Sequence, residues 1–239
     1  MVFFMKKMKY ILIAILVLPA TLLAQSTEEV AERYLNAIGG EEAIVAFSES
    51  KMVGSMSMMG MNIPVTMYVK SPGKVRVESQ VMGQSIIQAT NGETAWMINP
   101  MMGSTAPQKV SASEVSDAGI GDDVFLHMGE EGYSFEYKGE STIDGADYYH
   151  IYIEAPSGKQ DHYYSKDTGL RVMVESKVTA GPSAGSTVTT YFSDYKEIDG
   201  YKVPHSITAK TGGSVLMDMT ITTVEKATID DSTFEMPEN

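Results

Sequence analysis

The hydrophobic pattern of the chain changes period once, and the change divides it into a short helical start and a long strand region. Val30, Tyr34, Ala37 and Ile38 recur at helical spacing. Ser26 stands before them as a cap, Glu29 follows three residues later as in a capping box, and Gly39-Gly40 stops the helix. One or two further helical turns are expected over residues 41–47. From there the period is two. Met52, Gly54, Met56 and Met58 share one strand face, and Ile63, Val65, Met67 and Val69 share the next. Val75, Val77 and Val81 continue the alternation, with Arg76, Glu78 and Gln80 opposite. Strands over 84–89 and 94–98 flank Asn91-Gly92, a strong hairpin signal.

Pro100 to Gln108 reads as a loop. Ser111 to Met128 reads as a helix interrupted by Gly119 and Gly121. Strands then resume, broken at Asp144-Gly145, Asp167–Gly169, Asp199-Gly200 and Gly212-Gly213. About a dozen antiparallel strands joined by tight turns predict a mostly β meander, either a barrel or a strongly curved sheet. No repeat, low-complexity tract or linker interrupts it.

The N-terminus adds an address. Lys6, Lys7 and Lys9 precede an apolar run over residues 11–23, which is short for a bilayer span. Residues 1–24 are read as a secretory signal, with Ala24 as a small residue before the cut and the remainder, 25–239, as one domain. An uncleaved anchor would want a charged stop-transfer flank, and none follows. There is no cysteine, so neither disulfides nor a lipidated N-terminal cysteine are available to the exported protein. The formal charge is −13, and removing the three leader lysines takes it to −16. That charge argues against binding nucleic acid or anionic headgroups by electrostatics.

Candidate chemistry centres on methionine. Three of the 18 methionines lie in the leader, and ten of the rest fall between Met52 and Met102. Thioethers are soft Cu(I) ligands, so the run at 56–61 admits a copper carrier. No thiolate accompanies them, however, and the histidines at 127, 150, 162 and 205 are scattered. The alternatives are an ordinary filled core and an adaptable apolar cavity. A cavity suits Met better, because a core that must specify one packing prefers Leu, Ile and Val. The G-x-S-x-G pattern over 181–185 lies between two strand patterns and includes Pro182, so it reads as a hairpin loop and not as a hydrolase elbow. Counting back from a turn between Ala155 and Lys159 places His162 opposite Tyr152, and no metal site is expected.

One stretch carries a resemblance. Val69-Lys70-Ser71-Pro72, then Lys74 to Glu78, then Asn91-Gly92-Glu93-Thr94, Trp96 and Asn99-Pro100 resemble, in order and spacing, the outer-membrane lipoprotein-sorting (LolA/LolB-like) carriers. The resemblance implies an unclosed β-barrel of about 11–12 strands with an N-terminal helix and a lid-like helix. It also implies a non-enzymatic periplasmic carrier without cofactor, holding lipid or lipoprotein acyl chains and exchanging them with membrane sorting proteins. Met56, Met58, Val65, Met67, Trp96 and Ile98 are the expected cavity wall. Ser71 departs from the family, which carries Arg in a Lys-Arg-Pro turn that holds the lid; a hydroxyl cannot act as a charged fork. The alternatives are an envelope interaction module with a filled β core and, less favoured, a Met-based copper protein.

Overall fold

The computed structural model describes residues 26–58, 60–111, 115, 123–178 and 184–237. The leader expected over 1–24 lies outside them. The capping box forms as the sequence implies: Ser26 Oγ accepts from the Glu29 amide, and the Ser26 amide donates to Glu29 Oε2, both at 3.2 Å. Helix α1 (Thr27–Ala37) follows, and then α2 (Gly40–Ala46). Gly39 joins them at φ +128°, and a Cβ there would sit 2.2 Å from the carbonyl oxygen of Gly200. Only glycine allows the helical pair to press so closely on the sheet.

Among the described residues, thirteen strands make one antiparallel sheet built as two meanders side by side. The first half comprises β1 (Glu49–Met58), β2 (Met61–Lys70), β3 (Lys74–Val81), β4 (Gln84–Asn91), β5 (Ala95–Asn99) and β6 (Ser104–Val110). The second comprises β7 (Ser134–Ile143), β8 (Ala146–Ala155), β9 (Gly158–Ser165), β10 (Arg171–Lys177), β11 (Thr187–Ile198), β12 (Tyr201–Thr211) and β13 (Ser214–Lys226). Pairing of β1 with β13 joins the halves, and β6 and β7 remain as the two edges. The barrel is therefore unclosed.

The strand that the sequence hides is β6, which occupies the expected loop. Pro107 disguises it, since proline cannot donate to a ladder; here it lies on an edge strand and outside the paired register. The β8–β9 turn is also tighter than the count implies. Ala155 pairs with Gly158, so His162 faces Ile151 and not Tyr152. Of the helix expected over 111–128, the described part is residues 111, 115 and 123–128, with one 3₁₀ turn at Val124–His127; the remainder lies outside the described residues.

The face on which α1 packs is the inner face. Register carries it across both halves: Phe192 pairs with Ile207, Ile207 with Met219, Met219 with Met56, and Met56 with Ile63. One apolar cluster lies at the junction of the halves and includes Met52, Val65, Met67 and Ile221. A second lies under α1, where Tyr34 packs on Phe125 and Tyr164.

The chain after β13 crosses the outer face of β1–β5 as a strap. Glu49 Oε2 accepts from the Ile229 amide, Lys70 Nζ donates to the Ile229 carbonyl, and Arg76 Nη1 donates to the Thr233 carbonyl. Trp96 Nε1 donates to the Phe234 carbonyl at 2.8 Å, and both aromatic side chains are fully buried. Removing a buried aromatic ring costs about 3–5 kcal/mol. Phe234→Ala is therefore expected to lower stability by about that amount in urea titration. Emission from Trp96, the only tryptophan, should shift to the red before the sheet unfolds. An unshifted spectrum and an unchanged midpoint would show that the strap contributes nothing.

Candidate functional site

Alternation sends every second side chain of β1–β4 to the inner face, and there they leave a cavity of about 280 Å³. Met56, Met58, Val65 and Met67 line it together, so four of the six expected wall residues converge. Val77, Val81 and Ile86 continue the wall across β3 and β4, and Met217 and Met219 close it from β13. Ser79, Gln88 and Asn99 are its polar lining groups. The walls are thus mainly aliphatic or thioether, and no formal charge lies among them.

Trp96 and Ile98 do not line this cavity. Trp96 pairs with Ala89 and Ile98 with Ile87, whereas Met97 pairs with the cavity residue Gln88. The inward positions of β5 are therefore Ala95, Met97 and Asn99. Offsetting a strand by one residue reverses every side chain, and the sequence pattern of β5 does not fix that parity. Trp96 is buried for a different reason, namely the strap, with the Arg76 guanidinium 5.6 Å from its ring centroid. Arg76 is thereby committed to the outer face, where Nε also meets Glu78 Oε1 at 2.7 Å.

The cavity has an apolar rim. The β1–β2, β3–β4, β5–β6 and β12–β13 turns lie along one end of the sheet, as antiparallel order requires. Met58, Met61, Met82, Met101 and Met102 are exposed there, with Met82 82% and Met102 77% accessible, and Val215 and Leu216 join them. No residue in 57–63, 79–88, 97–106 or 211–217 is charged.

A second cavity of about 290 Å³ opens further along the same face and is chemically different. Val75, Val174 and Phe192 supply its apolar wall, and Gln160, His162 and Arg171 its polar one. Arg171 is held in place from behind. Asp123 Oδ2 lies 3.7 Å from Arg171 Nη1 and accepts from Tyr34 OH at 2.7 Å, while Asp123 Oδ1 accepts from the Phe125 amide at 3.0 Å. The guanidinium also stacks over Phe192, 4.6 Å from the ring centroid. Burial opposes its charge, but Tyr34 and Asp123 outweigh that and raise its pKa. Burial, and then Asp123, push the Tyr34 hydroxyl well above its usual value. His162 hydrogen-bonds Gln160 Oε1 at 2.7 Å and Tyr164 OH at 3.1 Å. Burial first, and Arg171 second, hold its pKa well below the ordinary histidine value. Nothing local in the sequence marks this cluster, since Tyr34 and Asp123 are 89 residues apart.

Among the described residues, no group of three or more His, Asp or Glu side chains converges as a metal site would require. Residues 181–183 of the G-x-S-x-G pattern lie outside the described residues. What flanks them is strand on both sides, and the Gly185 amide donates to the Val178 carbonyl as in a hairpin. Ser71 lies in the β2–β3 turn, its amide donating to the Ser48 carbonyl at 2.8 Å.

Residues 49–239 match a family described as Domain of unknown function (DUF4412). No curated protein matches the sequence. Solved structures of similar shape include a LolA superfamily protein from Nitrosomonas europaea, 13% identical, with a TM-score of 0.62 over 89% of this chain and 98% of that one. A DUF1329 family protein from Desulfovibrio piger is 14% identical, with a TM-score of 0.59 over 87% and 96%. A domain from Vibrio parahaemolyticus described as an outer membrane lipoprotein-sorting protein is 14% identical, with a TM-score of 0.55 over 85% and 97%. The chain has the LolA-like fold on a divergent sequence.

The His162 environment sets a pH dependence. Its folded pKa is depressed, whereas an unfolded histidine titrates near 6.5. Below about pH 6.5 the unfolded chain binds the extra proton, so stability falls with pH by up to about 1.4 kcal/mol per unit. Between pH 6.5 and 5.0 the wild-type protein should lose about 1–2 kcal/mol more than His162→Gln in urea titrations. Equal losses in the two proteins would contradict a neutral buried His162.

Proposed function

The chain belongs to the DUF4412 family, a domain of unknown function, and we propose that it is an exported, non-enzymatic carrier of lipid or lipoprotein acyl chains. The observation that carries this reading is the methionine-lined cavity on the inner face of an open sheet. Each methylene moved from water into such a wall gains roughly 0.8 kcal/mol, so capture needs no chemistry beyond transfer. Methionine suits the task because its unbranched, polarisable side chain repacks around chains of different length and shape. β6 and β7 are not paired with each other, so entry to the inner face between them would break no strand ladder.

Export rests on the leader at 1–24, which would deliver the single domain 25–239 to the periplasm. The uncharged rim supports acquisition of a ligand from an apolar source. Five exposed methionines lie along the end of the sheet where Met58 lines the cavity, and none of the neighbouring turn residues would carry a charge out of water. Membrane sorting proteins or lipoproteins are the partners that the reading implies.

Gentle purification followed by native mass spectrometry should find lipid bound, and the purified protein should take up a fluorescent fatty acid. Val77→Trp places an indole in the cavity and is expected to weaken uptake at least about tenfold, an ordinary effect of overfilling a packed site. Its circular dichroism should stay unchanged. A wild-type protein recovered empty from repeated preparations, and unable to take up the probe, would favour an interaction module with a filled core. A further contrast concerns the rim. The double substitution Met82→Ser and Met102→Ser should slow uptake from lipid vesicles several-fold while leaving affinity for the soluble probe within about twofold, since both side chains are exposed and make no core contact.

A further inference from the structure

The methionine-lined cavity is not apolar all round. Its thioethers come from β1, β2 and β13, whereas its polar groups, Ser79, Gln88 and Asn99, are confined to the flank made by β3, β4 and β5. Register brings these three together. Val77 pairs with Gln88 and Gln88 with Met97, while one inward step along β3 Ser79 pairs with Ile86. Asn99 is the next inward position of β5 after Met97.

The hydrogen bonds of this flank are incomplete. Asn99 is committed locally, since its Oδ1 accepts from the Met101 amide at 3.1 Å. Gln88 Nε2 and Asn99 Nδ2 share one acceptor, the Met97 Sδ, at 3.6 and 4.0 Å. A thioether is a weak acceptor. Among the described residues, Gln88 Oε1 and Ser79 Oγ have no protein partner, and both residues are half-buried, within reach of whatever fills the cavity. The atoms left over are thus one carbonyl oxygen, which can only accept, and one hydroxyl, which can donate or accept. A ligand hydroxyl satisfies both, donating to Gln88 and accepting from Ser79. An ester carbonyl cannot donate. A carboxylate cannot donate either, and no lining residue carries a charge to offset its own.

We propose that this cavity takes an uncharged lipid bearing a hydroxyl group, a fatty alcohol or a glyceride, with the hydroxyl held between Gln88 Oε1 and Ser79 Oγ. The assignment rests on the carrier reading above and narrows its ligand class. Gln88 and Ser79 are its specificity-determining residues. The thioether walls accept the chain without fixing its shape, because methionine repacks around what it meets. One or two neutral hydrogen bonds are worth little each, so the expected discrimination is modest, on the order of five- to tenfold.

The test compares dodecanol, dodecanoyl glycerol, methyl dodecanoate and dodecanoate, each displacing a fluorescent fatty acid below its solubility limit at pH 8. The wild-type protein should bind at least one of the two hydroxyl-bearing ligands about fivefold more tightly than the methyl ester and about tenfold more tightly than dodecanoate. Preference for dodecanol alone would identify a fatty alcohol, and preference for dodecanoyl glycerol alone a glyceride; either supports the assignment. The methyl ester separates hydroxyl recognition from a plain dislike of charge. Gln88→Leu and Ser79→Ala should each narrow the gap between hydroxyl-bearing ligand and ester while leaving ester affinity within about twofold. A gap that survives both substitutions would overturn the role of these residues. Because the preference is read first in the wild-type protein, a variant that fails to fold does not decide the matter. Equal affinity for alcohol, glyceride and ester, or tighter binding of dodecanoate, would overturn the hydroxyl assignment and leave the carrier reading standing. Failure of all four to bind would remove the carrier reading itself.

Discussion

The inner face of the sheet is continuous because β1 and β13 approach closely enough to pair, and Gly54 permits that approach. A Cβ at Gly54 would lie 2.2 Å from the Thr220 carbonyl oxygen and 3.0 Å from the Ile221 Cα. The ladder shifts register at the same point, between Val53 and Gly54, which bends and twists the junction. Past the shift Met56 meets Met219, so methionines from opposite ends of the chain share one wall. Without this junction the two meanders would be separate sheets, each with two unpaired edges, and the methionine wall from β1, β2 and β13 would not be shared. The open seam between β6 and β7 is the counterpart of the closed one.

Given that face, strand alternation sorts the methionines by role. Met52, Met56 and Met67 turn inward from β1 and β2. Met82 sits in the β3–β4 turn, Met101 and Met102 in the β5–β6 connection and Met61 at the first position of β2, all four exposed. The same residue type therefore supplies both an adaptable wall and an uncharged rim. Further along the face the walls change from thioethers to the Arg171 guanidinium, whose neighbours Tyr34, Asp123 and Phe192 come from α1, the segment before β7, and β11.

How much of this could be read in advance depended on whether the determinant was local. Helix α1 was legible because Ser26 and Glu29 form their box within one turn. The first meander was legible because Asn91-Gly92 and Pro72-Gly73 fix its turns. Met56, Met58, Val65 and Met67 share one face, as their period-two spacing implies, because β1 and β2 pair through a short turn with no slip. Trp96 and Ile98 lie on the other face, because the parity of β5 is set by its partners and a strap 138 residues away in sequence is what buries Trp96. Pro107 hid β6, since edge position and not composition makes proline tolerable there. One residue in the β8–β9 turn moved His162 from Tyr152 to Ile151. The Arg171 cluster left no local trace, because its residues meet only in the folded sheet.

The position of Trp96 has a consequence for how the molecule can hold a cavity at all. An unfilled apolar void lowers stability in proportion to its size, because the atoms around it lose contacts. Here the largest buried aromatic, Trp96, lies on the face opposite the cavities, clasped with Phe234 under the strap. Arg76 and Lys70, on that same outer face, tie the strap down at Thr233 and Ile229. Much of the burial that holds β1–β5 in shape is thus independent of what occupies the inner face. A sheet stabilised from behind can leave its front walls to flexible methionines, and the exchange of a ligand need not disturb the fold that surrounds it.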